Sequence, residues 1–145
     1  MFLCIGGIST FTTHADETWT QIDKLLGQFD SSFGSSMATD GDTLVVGAPR
    51  SEGVGDAYVY KWVDNAWIYD DVLPGGAAGS ISVAISGDTI VIGSMYALND
   101  GVKTGGAYVY VNTQTGWEPQ ADLFPSDGMQ DGRFGVSIAI DANTI

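Results

Sequence analysis

This chain of 145 residues carries one cysteine, one histidine and five basic residues. A lone Cys4 excludes an internal disulfide. His14 is the sole imidazole a nucleophilic triad could use, and it sits in the polar turn Thr12-Thr13-His14-Ala15-Asp16, where a solvated residue is expected. One His and one Cys make no zinc site without several carboxylates. Eighteen Asp and Glu against five Lys and Arg give a formal net charge of -13. Such a surface repels phosphate backbones, so no nucleic-acid partner is expected, while cations and basic proteins are attracted. No apolar run reaches the roughly 18 residues of a membrane helix, and no membrane insertion is expected. The first five residues are apolar, but the stretch is short and lacks a basic start and a cleavage pattern. It reads as the remnant of a strand or an artificial start. Four prolines stand against twenty glycines, and 44% of residues are apolar. That balance suits short strands joined by tight turns around a buried core.

What the chain does have is a repeat. Phe33-Gly34-Ser35-Ser36-Met37-Ala38, followed by Asp40-Gly41-Asp42-Thr43-Leu44-Val45-Val46-Gly47-Ala48-Pro49, returns from Gly79 as Ser82-Val83-Ala84 and Ser86-Gly87-Asp88-Thr89-Ile90-Val91-Ile92-Gly93-Ser94. It begins again as Phe134-Gly135-Val136-Ser137-Ile138-Ala139. Ala57-Tyr58-Val59-Tyr60 recurs as Ala107-Tyr108-Val109-Tyr110, with Gly6-Gly7-Ile8-Ser9-Thr10-Phe11 as a weaker copy. Trp19 and Leu25, Trp67 and Leu73, and Trp117 and Leu123 share one spacing. A period of about fifty residues with β pattern means propeller blades.

Each unit predicts four strands. Strand A alternates small and branched residues; Gly135, Ser137 and Ala139 oppose Val136, Ile138 and Ile140. Strand B, Leu44-Val45-Val46 or Ile90-Val91-Ile92, is apolar throughout and predicts burial on both faces. Strand C is rich in tyrosine, and strand D carries the tryptophan. Asp40-Gly41-Asp42 and Ser86-Gly87-Asp88 are A–B turn signals, and Asp64-Asn65 and Thr115-Gly116 are C–D signals.

The expected fold is therefore all-β: a segment of a β-propeller made of four-stranded antiparallel blades. Residues 1–32 supply strands C and D of a half-blade, 33–78 and 79–133 two full blades, and 134–145 the start of the next. Closed propellers have typically 4–8 blades. The expectation is an open arc belonging to a longer chain, or a homo-oligomer that closes the ring.

The ordered Phe-Gly and Gly-Ala-Pro signatures resemble the FG-GAP repeat, over nearly the whole chain. The middle unit departs from them, with Gly79-Ser80 and Gly93-Ser94-Met95 in their place. FG-GAP repeats build the β-propeller of integrin α-subunit heads and occur in secreted and surface proteins. The resemblance implies an extracellular or cell-surface interaction or adhesion module. Integrin-like copies carry an Asp-rich calcium motif in a long A–B loop. Here that loop is only Asp40-Gly41-Asp42, Ser86-Gly87-Asp88 or Asp141-Ala142-Asn143, and calcium wants about 6–8 oxygens. No cofactor or metal is expected.

No enzyme chemistry is expected from the motifs either. Asp70-Asp71 is the clearest carboxylate pair, but neighbours on a strand diverge. Charge on an outer strand also protects an edge. Gly53-Val54-Gly55 and Gly105-Gly106 lack the following helix of a phosphate cradle. The 127–132 segment, Asp127-Gly128-Met129-Gln130-Asp131-Gly132, lacks the spaced ligands of a calcium loop and reads as a connection between blades. The repeated tryptophans predict packing between blades or at their rim.

In a four-strand meander the B–C and D–A loops share one end. These loops, residues 26–32, 49–56, 74–78, 95–105 and 125–133, are the long ones. Arg50, Glu52, Tyr96, Asn99, Asp100, Lys103 and Arg133 are the candidate binding residues for a protein or glycan ligand. Two other readings stand beside this one: the propeller part of a secreted polysaccharide-processing enzyme, and a structural or self-assembling unit.

Overall fold

The computed structural model describes residues 2–5, 21, 23–26, 32–49, 54–77, 81–142 and 144–145. Strands alone, and no helix, occur among them. In chain order they are β1 (Phe2–Ile5), β2 (Asp23–Leu26), β3 (Ser36–Asp40), β4 (Thr43–Ala48), β5 (Val54–Val63), β6 (Ala66–Ala77), β7 (Ile81–Ser86), β8 (Thr89–Ser94), β9 (Leu98–Asn99), β10 (Val102–Lys103), β11 (Gly106–Thr113) and β12 (Gly116–Leu123). Two four-stranded antiparallel sheets run in the orders β3-β4-β5-β6 and β7-β8-β11-β12. The predicted strands A to D are these four in each sheet. The short hairpin β9-β10 is inserted between B and C of the second.

Side-chain alternation explains how the sheets stack. Adjacent residues on a strand face opposite sides, so an all-apolar strand B serves two interfaces. Leu44, Val46 and Ala48 of β4 join Leu25 of β2 in one cluster. Val45 of β4 turns the other way, to Ile81, Val83, Ile85, Ile90 and Ile92 of the second sheet. Val91, the counterpart of Val45, packs with Ala107 and Val109 against Ile138 and Ile140. The tyrosines follow the same rule. Tyr60 faces the β2 side, and Tyr110 faces the first sheet. Burial pushes both phenols up to about 12, and the Tyr110 hydroxyl donates to the Pro74 carbonyl at 2.7 Å.

The tryptophans pack as expected. Trp117 is buried in the cluster between the two sheets, and Trp67 packs against the cluster on the β2 side. Leu25, Leu73 and Leu123 each face the following unit.

The A–B turns also bond from unit to unit. Asp40 Oδ2 accepts from Gly87 N at 2.6 Å, and its counterpart Ser86 Oγ accepts from Ala142 N at 3.2 Å. Ser36 Oγ accepts from Val83 N at 3.0 Å, so a second side chain of β3 reaches the next sheet. Asp40→Ala is expected to lower stability by about 1 kcal/mol, with Asp40→Ser recovering part of it. Urea midpoints of the three proteins check this; equal midpoints would remove the bond from the account.

One turn stands as the sequence reading has it, and several turns and edges differ from it in detail. β5 and β6 meet at a turn of Asp64 and Asn65, with φ of 50° and 63°, as a two-residue hairpin of the mirror-image type demands. In the second sheet Thr113 pairs with Gly116, so the turn is Gln114-Thr115 and Gly116 already belongs to β12. The Thr113 hydroxyl accepts from Thr115 N at 3.1 Å and closes that turn without a glycine in it. Gly55 and Gly106 lie inside strands rather than in turns before them. The apolar Phe2–Ile5 forms a strand, with Leu3 opposite Leu25 as Ala57 stands opposite Leu73. The weaker strand-C copy at residues 6–11, Trp19 and His14 lie outside the described residues. Residues 134–140, expected as strand A of the next unit, do not form a strand; they lie against the second sheet through Ser82 Oγ to Gly135 O at 2.9 Å and a parallel bridge from Gly105 to Phe134.

Candidate functional site

The long-loop end of the second sheet is built by one hairpin and one connection. Between β9 and β10 the turn is Asp100-Gly101, with φ of 50° and 82°. Asp-Gly flanked by Leu98 and Val102 is a strong short-range hairpin signal, and it converts the expected 95–105 loop into a rigid projection. The hairpin is anchored at its base. Ala97, fully buried, donates its N–H to Ser94 O at 3.1 Å, and Gly105 N donates to Ala97 O at 3.1 Å. Thr104 is buried, and its hydroxyl donates to Gly105 O at 2.9 Å.

The connection that leaves β12 is stitched to this hairpin. Asp131 N donates to Lys103 O at 2.6 Å, and Phe134 N donates to Thr104 O at 3.0 Å. Gly128 lies so close to Thr104 that an added Cβ would strike its side chain. Within the connection, Gly128 N donates to Pro125 O and Gly132 N to Met129 O, two successive turns. The 127–132 segment is thus a folded connection, as its sequence suggests.

These bonds place Lys103 against the 125–133 connection. Lys103 Nζ lies 5.0 Å from the centroid of the Tyr96 ring, a cation–π pair that holds the ammonium at the loop surface. Asn99 and Asp100 occupy the hairpin tip. Arg133 is exposed, with φ of 58°, two residues beyond the Asp131 contact to Lys103. Arg50 and Glu52 lie outside the described residues. Sequence reasoning named Tyr96 and Lys103 but not their pairing, for which the Asp-Gly turn was the available signal.

Beside Arg133 lies a groove of about 420 Å³, lined by Ala107, Leu123, Phe134, Val136 and Ile138 among others. It is an apolar seam between the second sheet and the 134–140 segment. Elsewhere the candidate acid pair, Asp70 and Asp71, falls at an irregularity of β6. Asp70 is the extra residue of a β-bulge, since Val59 pairs with Asp71 and Tyr60 with Tyr69. Asp71 Oδ1 accepts from Val72 N at 2.8 Å. Gln120 is the bulge residue at the same place in the second sheet, so the irregularity belongs to the repeat. No group of three or more metal-ligating side chains occurs among the described residues.

Stacked four-stranded antiparallel sheets that repeat in sequence define a β-propeller-like repeat protein. The family profile of the FG-GAP repeat matches residues 19–60 and 74–110, more than half of the chain. The chain belongs to the FG-GAP repeat family. Each match ends within strand C, at Tyr60 and at Tyr110, so the profile spans the A, B and C strands of both sheets. No curated protein matches the chain.

Proposed function

We propose that this chain is a non-enzymatic interaction module that binds a protein or glycan partner through its B–C and D–A loop face. The observation that supports this most is the anchored β9-β10 hairpin, which presents Lys103 stacked on Tyr96 beside the connection bearing Arg133. A rigid scaffold displaying long loops is the usual arrangement for recognition. FG-GAP repeats are generally propeller and interaction modules, which accords with it. In this reading the sheets are blades of a closed propeller ring, completed by further blades or by a second copy, and the protein acts outside the cell or at its surface. The two-residue A–B turns supply too few oxygens to wrap calcium, so the reading includes no cofactor.

The test is a screen of printed glycans and extracellular proteins with the wild-type chain and with Lys103→Glu. Lys103 is partly exposed, so its reversal should change stability by no more than about 0.5 kcal/mol. Binding to any authentic partner should fall at least about tenfold. A partner that binds both proteins equally, with thermal midpoints unchanged, would move the site away from this face.

A further inference from the structure

The two sheets repeat in backbone but not at one outer corner. At the C–D turn of the first sheet, Trp62 of β5 stands directly opposite Trp67 of β6, and Tyr60 stands opposite Tyr69. All four rings therefore share one face. The Trp62 and Trp67 centroids are 5.1 Å apart at 62°, and those of Tyr60 and Tyr69 are 6.0 Å apart at 80°. Trp62 and Trp67 are half-buried, and Tyr69 is 53% exposed. Asp64, in the turn between Trp62 and Trp67, and Asp70, next in sequence to Tyr69, are exposed, as is Asp42. Asp42 is next to Trp62 by a backbone bond, Trp62 N to Asp42 O at 2.8 Å. Lys61, the cation beside them, is engaged by Thr43 Oγ1 at 2.6 Å and Asp42 at 3.9 Å.

The second sheet supplies an internal control. The ladders place Asn112 where the first sheet has Trp62, Gln114 where it has Asp64, Pro119 where it has Tyr69 and Gln120 where it has Asp70. The corresponding backbone bond, Asn112 N to Asp88 O, is also 2.8 Å. At these four positions one copy carries neither ring nor charge, and the other is aromatic and acidic. Packing of the repeat does not require Trp62, Tyr69, Asp64 or Asp70, since the second copy carries other residues there, while it keeps Trp117, Tyr110 and Asp88 in the places of Trp67, Tyr60 and Asp42.

We propose that this aromatic and acidic corner of the first sheet is a second docking surface, and that its occupant is a lysine- or arginine-rich segment of a protein partner. Ring faces and carboxylates together suit guanidinium and ammonium groups. The chain's net charge of -13 draws a basic segment in and repels an acidic one. Strand addition is not the mode, because carboxylates already cap this edge. Asp23 Oδ2 accepts from Trp67 N at 3.1 Å, and Asp71 accepts from Val72 N. The surface lies at the A–B and C–D turn end, opposite the loop face described above.

The test is the binding of a fluorescent hexaarginine peptide at low salt, with neutral cellohexaose as the competing probe. The variant Trp62→Asn/Asp64→Gln/Asp70→Gln transplants the second sheet's residues and is expected to bind the peptide at least about tenfold more weakly. Asp64→Gln/Asp70→Gln keeps every ring and should lose part of that affinity, which covers the case in which the triple variant fails to fold. Glu118→Gln/Asp122→Asn on β12 removes the same charge elsewhere and should leave binding intact. Equal loss in that control would reduce the effect to net charge and overturn the proposal. So would a wild-type chain that ignores the peptide, or one that binds cellohexaose at the corner instead.

Discussion

Phe33→Ala is expected to destabilise the protein by about 3–5 kcal/mol, seen as a marked fall in urea midpoint at unchanged slope. Phe33 is 1% exposed and sits edge-on to Tyr58 and Tyr60, with centroids 5.6 and 6.4 Å away. It closes the cluster of Leu25, Leu44, Val46 and Ala48. Gly34 behind it has φ of 84° and donates its N–H to Gly47 O at 3.0 Å, which turns the chain so that the ring points inward. The repeat supplies a built-in comparison. Phe134 holds the same sequence position, with Gly135 at φ of 76°, yet is 43% exposed. Phe134→Ala should cost no more than about 1 kcal/mol, because much of the ring already meets water. Similar losses at the two sites would mean that Phe33 does not anchor the cluster.

Gly93→Val should destabilise at the upper end of about 1–3 kcal/mol. A Cβ at Gly93 would run into the carbonyl oxygen of Gly135 and the Ser82 hydroxyl. Backbone cannot move aside as a side chain can. Gly47, its counterpart in the first sheet, meets chiefly the Ile81 side chain, 3.2 Å from an added Cβ. Gly47→Ala should therefore be milder, since Ile81 can give by a few tenths of an ångström. Paired thermal melts of the two variants check the order. A milder Gly93→Val would show that the 134–140 segment does not press on the second sheet.

This pair gives a physical meaning to the glycine of the repeat signature. It stands near the end of strand B, where the first segment of the next unit, β7 or residues 134–140, passes closely. From sequence the glycine was visible as part of a motif, but its reason was not, because the crossing depends on contacts between units. The same holds elsewhere. Strand B was legible because Leu44, Val45 and Val46 leave no polar face. The packing role of Trp67 and Trp117 was legible because identical spacing in each unit calls for an identical environment. The Gln114-Thr115 turn was misplaced by one residue, since a nearby glycine outweighed the hydroxyl of Thr113 in the reading. The bulge at Asp70 was invisible, because a skipped pairing leaves no mark on composition. That residues 95–105 connect strands B and C, and that 125–133 lead on from strand D, was legible from the repeat. The clustering of Lys103 with the Arg133 connection was not, because it arises from backbone bonds between segments far apart in sequence.

The two-sided strand B has a further consequence. Every sheet presents one face made from the Leu44 and Val46 type of position and another made from the Val45 type. Each face fits the opposite face of any neighbour built on the same pattern. Copying about fifty residues of coding sequence in frame therefore adds a unit whose two contacts are already solved. Positions outside these contacts are left free to diverge. The contrast between Trp62 and Asn112 is what such divergence looks like after duplication.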